Sequence, residues 1–351
     1  MNAIAQTAAD LLRAGTPFVL ATIVSSHGST PRTAGTRMIV TGEMRALGTI
    51  GGGLMEARVL AKAREVLASG VPVLMPFDMT HSDVAGMDMI CGGRLDVLLE
   101  TVRPGTPAAL AVDAWSRAAL ASDRDAYFLT LIRSDGGAVA GITHGVLQNG
   151  RLICGDLDLA GEAATAIVRE CGRLKGLQTA GLEDGCLLIE PIFPAETVFL
   201  FGAGHVAQPT ARLAKMVGFR VVVVDDRPEF ADTARFPEAD EIRVIPEFDR
   251  ALSGLAIDRR GYLVIVTRGH LHDRTVLRQA LRTPAAYIGM IGSRRKRDHI
   301  FDSLLKEGIT AEDLKRVCSP IGLDIGAESC EEIGVSIVAE LVAARARKRT
   351  A

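Results

Sequence analysis

The chain holds 351 residues, 48% of them hydrophobic and 23% charged, which supplies a packed core and excludes a wholly disordered chain. Its 40 basic and 42 acidic side chains give a formal net charge of -2, so composition offers no polyanion-binding surface and argues against nucleic acid as a partner. At this length two domains are expected, because single cores stop growing at roughly 250 to 300 residues.

The first predicted element is a helix over Ala3 to Arg13. Asp10 interrupts its apolar run and no basic region precedes one, so no signal peptide is read and the cytoplasm is the expected compartment. Strands follow at Phe18 to Val24 and Arg37 to Val40, then a helix over Gly53 to Ser69, then strands at Leu95 to Glu100, Tyr127 to Arg133 and Ala138 to Gly141. Strands and helices mixed without a βαβ cadence predict an α+β domain over residues 1–194. The turn-rich stretch from Gly181 to Glu196 holds one short strand and two prolines, which places the junction near Pro194.

Beyond it, Val198 to Phe201, a helix over His205 to Val217 and Arg220 to Val224 form a βαβ unit. Apolar runs at Leu263 to Val266 and Tyr287 to Ile291 extend it into a parallel sheet covered on both faces, and a helix over Glu331 to Arg347 closes the chain. The fold class expected is α/β, a Rossmann-like C-terminal domain over residues 195–351 behind the α+β N-terminal domain. No run of roughly 18 apolar residues occurs, so no membrane span is expected. The six cysteines are scattered without a closely spaced pair, so reduced thiols and no metal site are expected.

Glycine, 36 residues in short clusters, is the unusual feature, and such clusters suggest ligand sites lined by backbone. Gly202, Gly204 and Ala207 read GxGxxA between a strand and a helix, with Asp225 at the end of the next strand. Gly202 would permit the tight turn, Gly204 the approach of a pyrophosphate, Ala207 close packing of helix on strand, and Asp225 would accept from ribose hydroxyls. His205 would face the ligand; an exposed, inert histidine is the other reading of that position. Two loops should share this sheet edge: Thr267 to Asp273, with His270 and Asp273 as a polar pair, and Gly292, Ser293 and Arg294 opening a run of four cations that suits an anion.

In the first domain Gly28, Ser29 and Arg32 follow the first strand, and Gly51, Gly52 and Gly53 open the helix that carries Glu56. Consecutive amides at a helix start form an anion-binding nest, and Arg32 offers a fork for phosphate or carboxylate. Cys91 beside Gly92 and Gly93 is either a small buried hydrophobe or an accessible thiolate.

These motifs together, with Thr49, Ile50 and the run from Ser319 to Gly326, resemble the XdhC/CoxI family in order, from about residue 15 to 345, and only loosely over 105 to 190. The resemblance implies a maturation factor for xanthine dehydrogenase and related molybdenum hydroxylases. Such a factor binds the molybdenum cofactor, as molybdopterin or its dinucleotide form, shields it while a cysteine desulfurase supplies the terminal sulfur, and delivers it to the hydroxylase apoenzyme. It also implies a homodimer, a non-catalytic chaperone in place of an enzyme, and Cys91 as a thiolate or sulfur carrier. The alternatives left open are an NAD(P)-dependent oxidoreductase that uses the Rossmann domain, and a nucleotide sensor. No acid/base constellation for hydride transfer accompanies the glycine motifs.

Overall fold

The computed structural model describes residues 2–79, 92–120, 126–136, 138–157, 176–193 and 195–350. The chain divides into two compact units, Met1–Pro194 and Ala195–Ala351.

In the first unit, α1 (Asn2–Arg13) precedes β1 (Phe18–His27), β2 (Arg37–Thr41), β3 (Ala46–Gly48), α2 (Gly53–Ser69), β4 (Val73–Asp78) and β5 (Arg94–Val102). The five strands form an antiparallel sheet in the order β3-β2-β1-β5-β4. Strand β1 is apolar on both faces because both are covered. Val19, Ala21 and Ile23 lie in a core with Met55, Val59 and Ala63 of α2, while Phe18 and Leu20 lie in another with Ala5 and Ala8 of α1.

That second core continues into α3 (Pro107–Leu120) and a further sheet made of β6 (Ala126–Asp135), β7 (Ala138–Gln148), β8 (Arg151–Gly155), β9 (Gln178–Leu182) and β10 (Gly185–Ile192). It is antiparallel in the order β8-β7-β6-β10-β9. Sequence patterning located β6, the start of β7 and the strand that becomes β10. It did not foresee α3, whose Ala-rich, Pro-initiated sequence carries Trp115 fully into the core.

The second unit alternates strand and helix: β11 (Thr197–Phe201), α4 (Ala207–Met216), β12 (Arg220–Asp225), β13 (Glu241–Val244), β14 (Gly261–Ile265), α5 (His270–Ala280), β15 (Tyr287–Met290), α6 (Arg294–Lys306), α7 (Ala311–Leu314), β16 (Val317–Cys318) and α8 (Cys330–Thr350). All pairings are parallel, in the order β13-β12-β11-β14-β15-β16. Counted within the unit this is 3-2-1-4-5-6, the order of dinucleotide-binding sheets, and it puts the topological switch point between β11 and β14.

Side chains alternate between two cores as a doubly covered sheet demands. Val198, Leu200, Val221 and Val223 pack with Ala207 and Ala211 of α4 and Ile337 and Leu341 of α8. Phe199, Phe201, Val222 and Val224 pack on the other face with Val276 and Leu277 of α5 and Ile300 and Leu304 of α6. Among the described residues no helix is long and apolar enough to cross a membrane.

Candidate functional site

In the first unit the structure brings three glycine-rich segments together from distant parts of the chain. Gly93 crosses the loop that follows β1 so closely that a side-chain carbon there would lie 2.5 Å from the Ser29 carbonyl oxygen and 2.7 Å from that of His27. Gly28 and Gly93 face each other, and Pro31 packs over Gly51. Ser29, Arg32 and Gly92 are exposed on this cluster. Among the described residues no atom lies within 4 Å of where a side-chain carbon at Gly52 or Gly92 would stand. Cys91, the expected thiolate, lies outside the described residues.

At the start of α2 the nest of backbone amides receives a carboxylate of the chain itself. Glu56 Oε1 accepts from the backbone amides of Ile50 (3.1 Å), Gly51 (3.3 Å) and Gly52 (2.8 Å) and from Thr49 Oγ1 (2.5 Å). The carboxylate therefore plays the anion's part itself. Burial works to raise the Glu56 carboxyl, and the bonds from Thr49 and the three amides outweigh it, leaving the group below its ordinary range. Polar groups of the described residues here include the exposed Ser29 hydroxyl, the second Glu56 oxygen, Thr30, whose Oγ1 donates to the Arg32 carbonyl at 3.0 Å, and Arg32, whose Nη1 donates to the Pro31 carbonyl at 3.1 Å.

In the second unit, Gly202 lies where a side-chain carbon would run into the Val266 carbonyl oxygen, so its place is set by the close passage of the chain leaving β14. Gly204 faces open space, as approach of a ligand requires. Ala207 is fully buried against the sheet, and His205 is exposed. The first turn of α4 has no capping side chain and no acidic residue.

Asp225 is 1% exposed and wholly engaged: Oδ2 accepts from Ala203 N (2.7 Å) and Arg227 Nη2 (3.0 Å), Oδ1 from Arg227 N (3.0 Å) and Nε (2.9 Å). Burial tends to raise its carboxyl, and the Arg227 and Ala203 bonds hold it below the usual range. Its partners in the structure are thus Ala203 of the glycine loop and Arg227.

The expected His270 and Asp273 pair does not form. Asp273 is completely buried and meets Thr267 Oγ1 at 2.6 Å and the Lys296 ammonium, because a charge taken out of water needs a full counter-charge. Burial nonetheless leaves its carboxyl raised, with the Lys296 and Thr267 contacts pulling the other way. Gly292 makes the reach possible: a side-chain carbon there would sit 2.6 Å from Lys296 Cδ. His270 is exposed, its ring 6.4 Å from that of His299. Ser293 caps α6 by accepting from Lys296 N at 3.2 Å, and Arg294 is exposed beside it. The run from Ser319 to Gly326 anchors α8, with Gly322 N donating to Glu340 Oε2 (2.7 Å) and Ser336 Oγ to the Leu323 carbonyl (2.5 Å).

Sequence reasoning missed a buried polar layer between the two sheets of the first unit. Arg37 on β2 makes a bidentate pair with Glu190 on β10 (2.7 and 2.5 Å) and stacks over Trp115. Glu100 on β5 meets His144 Nε2 on β7 at 2.6 Å, and His144 Nδ1 meets Thr130 at 3.0 Å. A cavity of about 10 Å³ opens among Thr22, Arg37, Glu100, Thr130 and Glu190. The available signal was a lone charge within otherwise apolar strands, as in Leu98-Leu99-Glu100 and Leu188-Ile189-Glu190. Among the described residues no three metal-ligating side chains come together.

Comparison with known proteins adds the following. Residues 198–341 match the XdhC Rossmann domain and residues 11–78 the XdhC and CoxI family, together well over half of the chain. The chain is 29% identical over 334 residues to a probable xanthine dehydrogenase subunit of Bacillus subtilis (strain 168), covering 94% of this chain and 93% of that protein. It is 23% identical over 338 residues to the molybdenum cofactor insertion chaperone PaoD of Escherichia coli (strain K12), covering 96% and 86%. A crystal structure described as a xanthine dehydrogenase from Bacillus halodurans aligns with a TM-score of 0.79 at 25% identity, over 97% of this chain and 96% of that one.

Proposed function

The chain belongs to the XdhC/CoxI family, and from that premise we propose that it is a maturation chaperone that binds the molybdenum cofactor and delivers it to a xanthine dehydrogenase or aldehyde oxidoreductase-type apoenzyme. The observation that carries this reading is the convergence of the Gly28 to Arg32 loop, the Gly48 to Gly53 loop and Gly92-Gly93 in one place. Gly93 packs on the backbone of the Gly28–Ser29 loop and Pro31 of that loop packs on Gly51, a glycine-rich surface suited to a flat, polar ligand.

The donor and acceptor set fits a phosphorylated pterin. Arg32 offers a fork for its phosphate, Ser29 a hydroxyl, and Glu56, held ionised, an acceptor for ring N–H groups. When bound, the cofactor supplies the redox-active molybdenum that the client enzyme uses; this chain's part is to hold and hand it over. The similarity to a protein named as a molybdenum cofactor insertion chaperone supports the same role. We extend the reading to a cytoplasmic homodimer that holds the cofactor while a cysteine desulfurase supplies its terminal sulfur; Cys91, the chain neighbour of Gly92, would take over the outer sulfur of the desulfurase's persulfide, becoming a persulfide itself and releasing the desulfurase as its thiol.

The test is ligand analysis of protein purified from molybdenum-replete cells, by oxidised-pterin fluorescence and by mass for nicotinamide nucleotides. Near-stoichiometric pterin, and activation of an added hydroxylase apoenzyme, is the expected result. Protein that carries no pterin, takes none up from isolated cofactor and instead binds NAD(P) tightly would overturn the proposal in favour of an oxidoreductase.

A further inference from the structure

The parallel sheet of the second unit has the strand order at whose switch point nucleotides bind, and the residues at the end of its second strand differ from those that read a ribose diol. Recognition of a diol needs a carboxylate with free acceptor positions at the end of the second strand. Here Asp225 has none: its two oxygens take four hydrogen bonds from Ala203 and Arg227, and the side chain is buried. The next acid, Asp226, is clamped by Arg268 through two bonds of 2.6 Å each.

What faces outward at this strand end is instead guanidinium. The guanidinium carbon of Arg227 lies over the Phe230 ring, 3.7 Å from its centroid, and that of Arg235 over the same ring at 4.8 Å. Stacking orders both groups; Asp225 takes the Nε and Nη2 edge of Arg227, and the N–H groups of its Nη1 are the donors that remain for a ligand. Arg235 reaches the glycine loop, its Nη2 lying 3.5 Å from the Ala203 carbonyl and 3.3 Å from Gln208 Oε1, and its Nε is buried without an acceptor. Arg268 is 40% exposed and completes the set; its Nη1 and Nη2 hold Asp226, so a ligand would meet its Nε side or displace that carboxylate, while the exposed Glu229 draws on Arg227 from the outer side. The second unit also keeps its glycine-loop amides clear of any acidic side chain in the first turn of α4, whereas the first unit fills its own with Glu56.

We propose that Arg227, Arg235 and Arg268 make the Rossmann crevice selective for a ligand that ends in a phosphate monoester, against the same ligand ending in an unmodified ribose diol. A planar fork meets phosphate oxygens through paired charge-assisted bonds, and a diol offers it only weak acceptors. Two sources present this chemistry: a nicotinamide nucleotide with a 2′-phosphate, and molybdopterin with its terminal phosphate in place of the dinucleotide form. The inference does not rest on the maturation role, since either source satisfies it.

The experiment is calorimetric titration of the full-length protein with two pairs, NADP+ against NAD+ and molybdopterin against its dinucleotide form. The phosphate-ended member of at least one pair should bind about tenfold more tightly or better, and the pair that shows it identifies the source. Arg268→Gln should bring that preference to within about twofold with an unchanged circular dichroism spectrum. Arg227→Lys keeps a charge beside Asp225 but not the fork, and should do the same. Equal or stronger binding of the diol-ended members, no binding of any of the four, or a preference that survives both variants would overturn the proposal. A preference for NADP+ with no pterin binding leaves this inference standing and removes the maturation role instead.

Discussion

Glu56 shows how a sequence motif that reads as an anion site can be completed from within. Three amides and a hydroxyl converge on one carboxylate oxygen, so the loop from Thr49 to Gly52 is preorganised before any ligand arrives. Removing the carboxylate orphans those donors. Glu56→Ala should cost about 2 kcal/mol in urea unfolding, and added formate should restore part of it by entering the emptied nest. Glu56→Gln keeps one acceptor but loses the charge, and should fall between. Since the folded-state carboxyl is depressed from its ordinary 4.5, its contribution is present above that value and is lost as pH falls through the folded one. The stability gap between wild type and Glu56→Gln should therefore be widest near about pH 7 and close toward about pH 3.

The Asp273 and Lys296 contact ties α5 to α6 and carries the opposite sign, a buried acid raised by desolvation and only partly rescued by its partner. Lys296→Met would leave that acid without a counter-charge in a site of zero exposure, and should destabilise by about 3 to 5 kcal/mol. Adding Asp273→Asn should recover much of that loss, because the uncompensated charge, not the missing methylene contacts, sets the cost. Chemical denaturation of the two variants side by side reads the difference.

Among the elements, strand ends and loops carry the chemistry, and two glycines of one loop should separate packing from binding. Gly202→Ala would meet the Val266 carbonyl and should lower the melting temperature, whereas Gly204→Ala faces open space and should leave it nearly unchanged while weakening phosphate-ended ligands. Thermal melts with and without ligand check both halves. The second unit was legible from sequence because its strands are continuous apolar runs punctuated by amphipathic helices, a pattern that fixes both element type and parallel pairing. In the first unit α1, β1, β2, α2, β5, β6, the start of β7 and β10 were legible, while β3, β4, α3, β8 and β9 were not. Its second sheet depends on the pairing of β6 with β10, which is remote along the chain, and its Ala-rich α3 has little periodic contrast. Site geometry was legible as far as residue type: the glycines that permit close approach were found. The partners of Glu56, Asp225 and Asp273 were not, since which of several nearby donors a buried acid takes is decided by packing in three dimensions.

In the molecule taken whole, each unit has its own closed hydrophobic interior. The sheet of residues 195–351 is sandwiched by α4 and α8 on one face and by α5 and α6 on the other, so both of its faces are covered by helices of the same unit. The sheets of residues 1–194 are filled by α1, α2 and α3 and joined through the Arg37 and Glu190 pair. A sheet covered on both faces by its own helices needs no further cover to satisfy its apolar surface. The fragment 195–351 expressed alone should therefore unfold in a single cooperative transition and keep near-native helix and strand content by circular dichroism. It should also retain whatever phosphate-ended ligand preference the full chain shows, because every arginine that frames the crevice lies within it. Loss of that preference with the fold intact would mean that the first unit contributes to the crevice; loss of the cooperative transition would mean that residues 1–194 are required for the fold of the second unit.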